Sequence, residues 1–173
     1  CSSDAFTLRP GELSLSARNA AGESLTRNDW SGYAPTSCSA EACQAAGEDF
    51  TLEVEATPTG QGFDADIQLE EQMHPEAPAW MTPGTLAVAL AFDGTTDRVE
   101  TTVATYPEAG LLAVEAHDGA AFAAVDSDAG HCVAGESHNQ PDGAGLVGCR
   151  TAVPAAVPLG RFIPREFVRV DSR

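Results

Sequence analysis

Lysine is absent from this sequence. Its nine basic residues are all arginine and are outnumbered by 26 acidic residues, which gives a formal net charge of -17 at pH 7. A charge of this sign and size repels phosphate groups and anionic lipid, so neither nucleic acid nor a membrane surface is an expected partner. The acidity is typical of a very soluble or salt-adapted surface, and cation binding is the alternative interpretation.

Long apolar runs and a leader segment are missing as well. No stretch approaches the roughly 20 consecutive apolar residues that a membrane helix requires, so we expect no membrane insertion. No charged segment followed by an apolar one opens the chain. Because the chain starts at Cys1 without a methionine, we expect a processed or excised fragment, with any signal peptide outside it.

The sequence also has no 3.6-residue apolar period with capping residues, which argues against a helical fold. Apolar and polar residues instead alternate over short runs bounded by Gly, Pro and Asp-Gly, as they do in half-buried strands. Residues 49–56 are the clearest case, because Phe50, Leu52 and Val54 share one face. The predicted strands are residues 5–10, 12–17, 49–56, 63–70, 86–92, 98–105, 112–116 and 121–125.

Short strands separated by such turns predict an all-β fold, specifically an immunoglobulin-like antiparallel β-sandwich with disulfide-pinned loops. The dipeptide Asp93-Gly94 is a strong hairpin signal. Residues 86–92 and 98–105 are therefore expected to pair with each other.

The length of 173 residues fits one domain. We assign residues 1–160 to the β-sandwich module, with a long loop at about residues 19–47. Residues 161–173 are interpreted as a closing strand or the start of a following module. The second interpretation rests on an echo of Pro10-Gly11-Glu12-Leu13 in Pro164-Arg165-Glu166-Phe167, which would fit a tandem array.

The five cysteines are an odd number. Cys38 and Cys43 enclose a short loop, and Cys132 and Cys149 enclose a longer polar one, which favours two local disulfides. Cys1 is then left over, and we expect its partner to lie upstream of this fragment. Disulfides at these places indicate an oxidising compartment, namely the periplasm, the cell surface or the extracellular space.

Four residues of zinc-ligand type lie close together in the sequence: His131, Cys132, His138 and Cys149. Their spacing matches no closed zinc motif, and an oxidising compartment would convert the thiols into a disulfide. We therefore expect a disulfide flanked by solvated histidines, and no cofactor.

Asp126 and Asp128 precede Gly130, as alternating carboxylates precede a glycine in calcium loops. The bidentate glutamate of an EF-hand is missing, because Ser137 stands at the corresponding position. An ordinary acidic turn is the favoured interpretation, and a weak calcium site at Asp126 and Asp128 is the alternative.

Three aromatic residues, Trp30, Tyr33 and Trp80, stand in loop-like surroundings. A lone tryptophan more often plugs the end of a sandwich, but exposed aromatic rings also stack on sugars. These three residues are the candidate ligand contacts, and glycans are the ligand class they would suit.

No catalytic residue is predicted. Ser137 lacks the second glycine of a nucleophile elbow, since Asn139 stands there. The adjacent Glu70 and Glu71 point to opposite faces of any strand, so their spacing does not support a glycosidase-type pair.

Six short motifs stand in the same order in a bacterial family. They are Cys1-Ser2-Ser3-Asp4-Ala5-Phe6-Thr7-Leu8-Arg9-Pro10, Gly47-Glu48-Asp49-Phe50-Thr51-Leu52, Thr105-Tyr106-Pro107-Glu108-Ala109-Gly110, Phe122-Ala123-Ala124-Val125-Asp126, Gly148-Cys149 and Gly160-Arg161-Phe162-Ile163-Pro164. Through these motifs nearly the whole chain resembles the MshQ-like conserved region. This is a domain of unknown function in large surface proteins encoded with type IV pili of the mannose-sensitive haemagglutinin type.

The resemblance implies a secreted or outer-surface, pilus-associated protein of several domains, with a role in pilus biogenesis, adhesion or surface display. The partners it implies are neighbouring domains of the same polypeptide and pilus or other surface proteins. It carries over no catalytic residues. We therefore expect a non-enzymatic structural or adhesive module at the cell surface or outside the cell. A carbohydrate- or calcium-binding module of an extracellular protein is the alternative.

Overall fold

The computed structural model describes residues 10–27, 42–57, 63–73, 84–119 and 124–165. These residues form strands and one short helix, so the predicted all-β character is confirmed. The elements are β1 (Glu12–Arg18), β2 (Gln44–Ala45), β3 (Phe50–Thr57), β4 (Asp64–Met73), β5 (Leu90–Asp93), β6 (Arg98–Ala104), β7 (Gly110–Asp118), α1 (Ala124–Asp128) and β8 (Val157–Ile163).

The smaller sheet has three antiparallel strands in the order β1-β3-β6. The central strand β3 buries Phe50, Leu52, Val54 and Ala56, and the residues between them are partly exposed. This is the alternation that the sequence predicted for residues 49–56. It arises because successive side chains of a strand point to opposite faces of the sheet.

The larger sheet has five strands in the order β2-β8-β7-β4-β5. Its pairs are antiparallel except for β2 and β8, which run parallel. The expectation of a purely antiparallel fold is therefore wrong at this one pair. A parallel pair needs a long connection between its strands, and most of the chain separates β2 from β8.

The expected hairpin at Asp93-Gly94 is wrong. The strand before the turn, β5, pairs with β4 in the larger sheet, whereas β6 after the turn pairs with β3 in the smaller sheet. A single bridge between Ala87 and Thr105 joins the flanking segments. Gly94 does turn the chain, with a φ of 76°, but a turn signal does not determine which strand the chain joins next.

Both sheets contribute side chains to one hydrophobic core. The ring of Phe162 on β8 lies 5.5 Å from that of Phe50 on β3 and 5.0 Å from that of Tyr106, between ring centres. Phe63 and Phe92 form a second ring pair with centres 5.1 Å apart. The two sheets therefore pack across a shared interior.

Two segments of the predicted loop at residues 19–47 are attached to β8. The amide of Arg27 donates to the carbonyl of Pro158, and β2 pairs with Phe162 and Ile163. The loop therefore contains a short strand that the sequence did not reveal. β8 also runs through residue 160, so the predicted module boundary falls inside a strand.

The predicted strand at residues 121–125 is wrong where it can be compared, because Ala124–Asp128 is a helix. The amide of Gly130 donates to the carbonyl of Ser127, and the amide of His131 donates to that of Asp126. Gly130 has a φ of 70°, which suits the end of a helical turn. Within the described residues, no helix is long and apolar enough to cross a membrane.

Truncation of Phe162 tests the shared core. We expect Phe162→Ala to lower the free energy of unfolding by about 3–5 kcal/mol, because it leaves a cavity between the two sheets. Urea unfolding followed by tryptophan fluorescence measures the change. Val103 is 63% exposed, so Val103→Ala is the control and should change stability by less than about 0.5 kcal/mol. Equal effects of the two substitutions would contradict the assignment of Phe162 to the core.

Candidate functional site: the cavity beside His117

A long excursion, described over residues 124–150, follows β7 in the chain and returns beside the same strand. Where it returns, the amide of Asp118 donates to the carbonyl of Thr151, the amide of Thr151 donates to Oδ1 of Asp118, and the amide of Val153 donates to the carbonyl of Ala116. A disulfide joins Cys132 to Cys149, with the Cα atoms 5.0 Å apart. The excursion is thus closed at its base by the disulfide and by backbone pairing with β7.

The excursion encloses a cavity of about 240 Å³ against the outer face of the larger sheet. Its walls come from β4, the end of β7, α1 and the excursion itself. The lining residues are Gln68, His117, Asp118, Gly119, Ser127, Ala134, Gly135, Cys149 and Arg150.

His117 is the buried polar residue at the centre of this region. Its position opposite Gln68 in the β4–β7 register puts it on the outer face of the sheet, yet it is only 3% exposed. Its Nδ1 lies 2.8 Å from the carbonyl oxygen of Asp118, and its Nε2 lies 3.0 Å from Oε1 of Glu70. Both partners are acceptors, so the ring can donate to both at once only as the imidazolium.

Glu70 joins the sheet to the excursion. The same Oε1 atom that contacts His117 lies 3.6 Å from Nη2 of Arg150. The hydrogen bond and the charge of His117, helped by Arg150, lower the pKa of the Glu70 carboxyl. Glu70 also lies opposite Glu115 in the β4–β7 register. The guanidinium of Arg150 offsets part of the repulsion that such a like-charged pair would otherwise cause.

Asp118 fixes the point at which the excursion returns. Its side chain is buried, and its Oδ1 accepts a 2.9 Å hydrogen bond from the amide of Thr151. A carboxylate that accepts a backbone N–H forms a charge-assisted hydrogen bond. The carboxylate therefore holds the chain against the end of β7.

The arrangement around His117 differs from that of a nucleophilic serine site. Ser127 lines the same cavity, and a serine nucleophile needs a neighbouring base with a nitrogen directed at its hydroxyl. Both ring nitrogens of His117 contact other acceptors instead. In this arrangement His117 supports the structure around the cavity.

The structure separates the two carboxylates of the proposed calcium site. Asp126 and Asp128 lie two positions apart on α1, and residues so spaced on a helix lie on different faces. Asp126 Oδ1 lies 3.9 Å from Nδ1 of His131. Among the described residues, no group of three or more His, Cys, Asp or Glu could hold a metal ion. Calcium binding stays a prediction.

The residues considered for a zinc site have other partners. Cys132 and Cys149 form the disulfide, and Nδ1 of His138 lies 2.8 Å from the carbonyl oxygen of Gln140. His131 is exposed beside Asp126.

Several predicted residues lie outside the described part of the chain: Cys1, Trp30, Tyr33, Cys38 and Trp80. Cys43 is disulfide-bonded and stands directly before β2.

The sequence reasoning missed His117, Arg150 and Gln68. His117 stands at a polar position of the alternating run in β7, directly before Asp118 and Gly119. A histidine at the end of a predicted strand was the signal in the sequence that could have pointed to this site. Its partners could not be identified, because Glu70 and Arg150 meet it only through the strand register and the return of the excursion.

No family model, curated protein or solved structure matches this chain. The function is therefore inferred from its residues and their geometry.

Replacement of Glu70 tests the link between the sheet and the excursion. Its lowered pKa means that its stabilising effect is present above the usual carboxyl pKa and disappears as the pH falls through the lowered one. Because the Glu70 side chain is 61% exposed, we expect Glu70→Gln to cost only about 0.5–1 kcal/mol at pH 7. Urea unfolding at pH 7 and at about pH 3 should show a smaller cost in acid.

Glu136→Gln on the exposed part of the excursion is the matched control for Glu70→Gln. A cost of Glu70→Gln that is equal at both pH values would show that the carboxylate charge does not stabilise this contact.

Gly148 tests the close packing at the base of the excursion. A Cβ atom there would collide with the carbonyl group of Glu136 and lie 2.7 Å from the amide nitrogen of Ser137. We expect Gly148→Ala to cost about 1–3 kcal/mol in urea unfolding, because backbone atoms must move. Nothing lies within 4 Å of a Cβ at Gly143, so Gly143→Ala should stay within about 0.5 kcal/mol of the parent. A neutral Gly148→Ala would contradict this packing.

Proposed function

We propose that this chain is an immunoglobulin-like β-sandwich that serves as a non-enzymatic structural or adhesive module of a secreted, pilus-associated surface protein. The observation that carries the proposal is the strand order of the two sheets. The disulfide, the geometry at His117 and the resemblance of the sequence motifs add to it.

The strand orders can be aligned with those of an immunoglobulin domain. In such domains strands A, B and E are neighbours in one sheet, and G, F, C and C′ are neighbours in the other. The order β1-β3-β6 corresponds to A-B-E, and β8-β7-β4-β5 corresponds to G-F-C-C′. The remaining strand, β2, adds an edge beside β8. The seven strands other than β2 then follow the order of immunoglobulin strands along the chain, which supports the proposal of this topology.

The excursion lies at a loop position of the immunoglobulin fold that contacts ligands in some domains. It belongs to the connection between β7 and β8, which corresponds to the F–G connection of an immunoglobulin domain. In variable domains this connection is one of the loops that contact ligands. A contact role for the excursion fits an adhesive module.

The chemistry of the chain fits a place outside the cytoplasm. The disulfide between Cys132 and Cys149 is of the kind that persists in oxidising compartments. The net charge of -17 keeps such a surface soluble and discourages nonspecific association. The expected partners are neighbouring domains of the same polypeptide and pilus or other surface proteins, as the resemblance implies.

A non-enzymatic role fits the side chains at the cavity. Each ring nitrogen of His117 contacts an acceptor that belongs to the fold, and Glu70 contacts both His117 and Arg150. Groups held in this way stabilise a module and are poorly placed to transfer protons to a substrate.

The proposal is tested on the full-length protein in the bacterium that makes it. We expect surface protease to cleave it on intact cells, and alkylation under denaturing conditions to leave Cys132 and Cys149 unlabelled until a reductant is added. Deletion of residues 10–165 should reduce adherence or surface pili. The control is Gly143→Ala, which should leave adherence unchanged. A cytoplasmic protein with free thiols at both positions would refute the proposal.

A further inference from the structure

We propose that the cavity beside His117 binds one neutral sugar residue, or a polyol of the same size. This inference goes beyond the surface role proposed above and does not depend on it. The described residues of its lining are not the ones to which the sequence pointed for glycan contact.

The cavity has room because its walls include residues with little or no side chain. Gly119, Ala134 and Gly135 lie in the lining, and a Cβ at Gly119 would already stand 3.4 Å from Nε2 of Gln68. The volume of about 240 Å³ lies just below the ~300 Å³ at which pockets for drug-sized ligands begin. A ligand of about a dozen non-hydrogen atoms, such as a single pyranose ring, is the size that fits.

Besides His117 and Asp118, three polar residues line the cavity, from three different parts of the chain. Gln68 on β4 offers both a donor and an acceptor, and Ser127 on α1 offers a hydroxyl that does both. Arg150, at the end of the excursion, adds a guanidinium, which only donates. A ligand that is to satisfy this set must itself carry donors and acceptors at several positions, as hydroxyl groups on a ring do.

The charges at the site argue against an ionic ligand. Oε1 of Glu70 lies 3.6 Å from Nη2 of Arg150, so the two opposite charges offset each other beside the cavity. An added anion would lie close to Glu70, and an added cation would lie close to Arg150. A neutral ligand gains hydrogen bonds without meeting a like charge.

Two of the lining residues are held in place by covalent or hydrogen bonds within the fold. Cys149 in the lining belongs to the disulfide, and His117 is held at both ring nitrogens. The backbone at Gly148 packs directly against Glu136 and Ser137. A preorganised site loses less conformational freedom on binding, which favours even a small ligand.

The test is an NMR titration of the 15N-labelled 173-residue chain with its disulfides intact. The probes are the methyl pyranosides of glucose, galactose and mannose, and glucuronate serves as the charged comparison. We expect at least one neutral pyranoside to shift the amide signals of Gly119, Ala134 and Gly135 saturably, with a Kd of about 1–10 mM.

Two variants locate the binding. Ala134→Leu fills the cavity from its rim and should abolish the saturable shifts, whereas Gln68→Ala removes a polar contact and should weaken binding about 2–10-fold. Their controls are Ala144→Leu, at an exposed position of the excursion outside the lining, and Gln72→Ala, on the same face of β4. Both controls should bind like the parent.

The absence of saturable shifts with every neutral pyranoside would overturn the inference, as would binding of glucuronate alone. Binding that survives both Ala134→Leu and Gln68→Ala would place the sugar elsewhere on the chain and equally overturn it. If Ala134→Leu does not fold, binding by Gln68→Ala tests the location instead, because Gln68 is exposed and its replacement should not disturb folding. None of these results bears on surface location, which the protease and alkylation experiments measure separately.

Discussion

The packing of Phe162 against Phe50 and Tyr106 is the interaction on which the rest of this structure depends. It joins the two sheets, and neither sheet could bury its apolar face alone. The strand that carries Phe162 is also the one to which both described ends of the long loop at residues 19–47 are attached. One strand, β8, therefore supports the core on its inner face and the loop on its outer edge.

A buried histidine imposes a second constraint, on the outer face of the larger sheet. His117 lies beneath the excursion, where an unpaired polar group would be costly, and Glu70 and the carbonyl of Asp118 satisfy it. The excursion can approach the sheet this closely because Gly148 has no Cβ and because the disulfide closes its base. The cavity lies beside these contacts, where its lining includes the small residues Gly119 and Gly135.

The two proposed roles, structural and binding, can share one module because they use different parts of it. Stability resides in the shared core, whereas the cavity lies outside the core, on the connection between β7 and β8. Loops on a rigid β scaffold are a common place for recognition, since they vary without disturbing the core. Beside His117, the opposite charges of Glu70 and Arg150 lie together on a chain whose net charge is -17.

The sequence by itself determined what depends on neighbouring residues. Alternation located most of β1, β3, β4, β6 and β7, because the two-residue period of a strand records which face is buried. The spacing of the cysteines also predicted the disulfide between Cys132 and Cys149, which enclose one polar segment. Only the tertiary structure decided that β5 and β6 lie in different sheets, that β2 runs parallel to β8, and that His117, Glu70 and Arg150 meet. Strand partners and register depend on packing between residues far apart in the chain, and a local pattern carries no record of them.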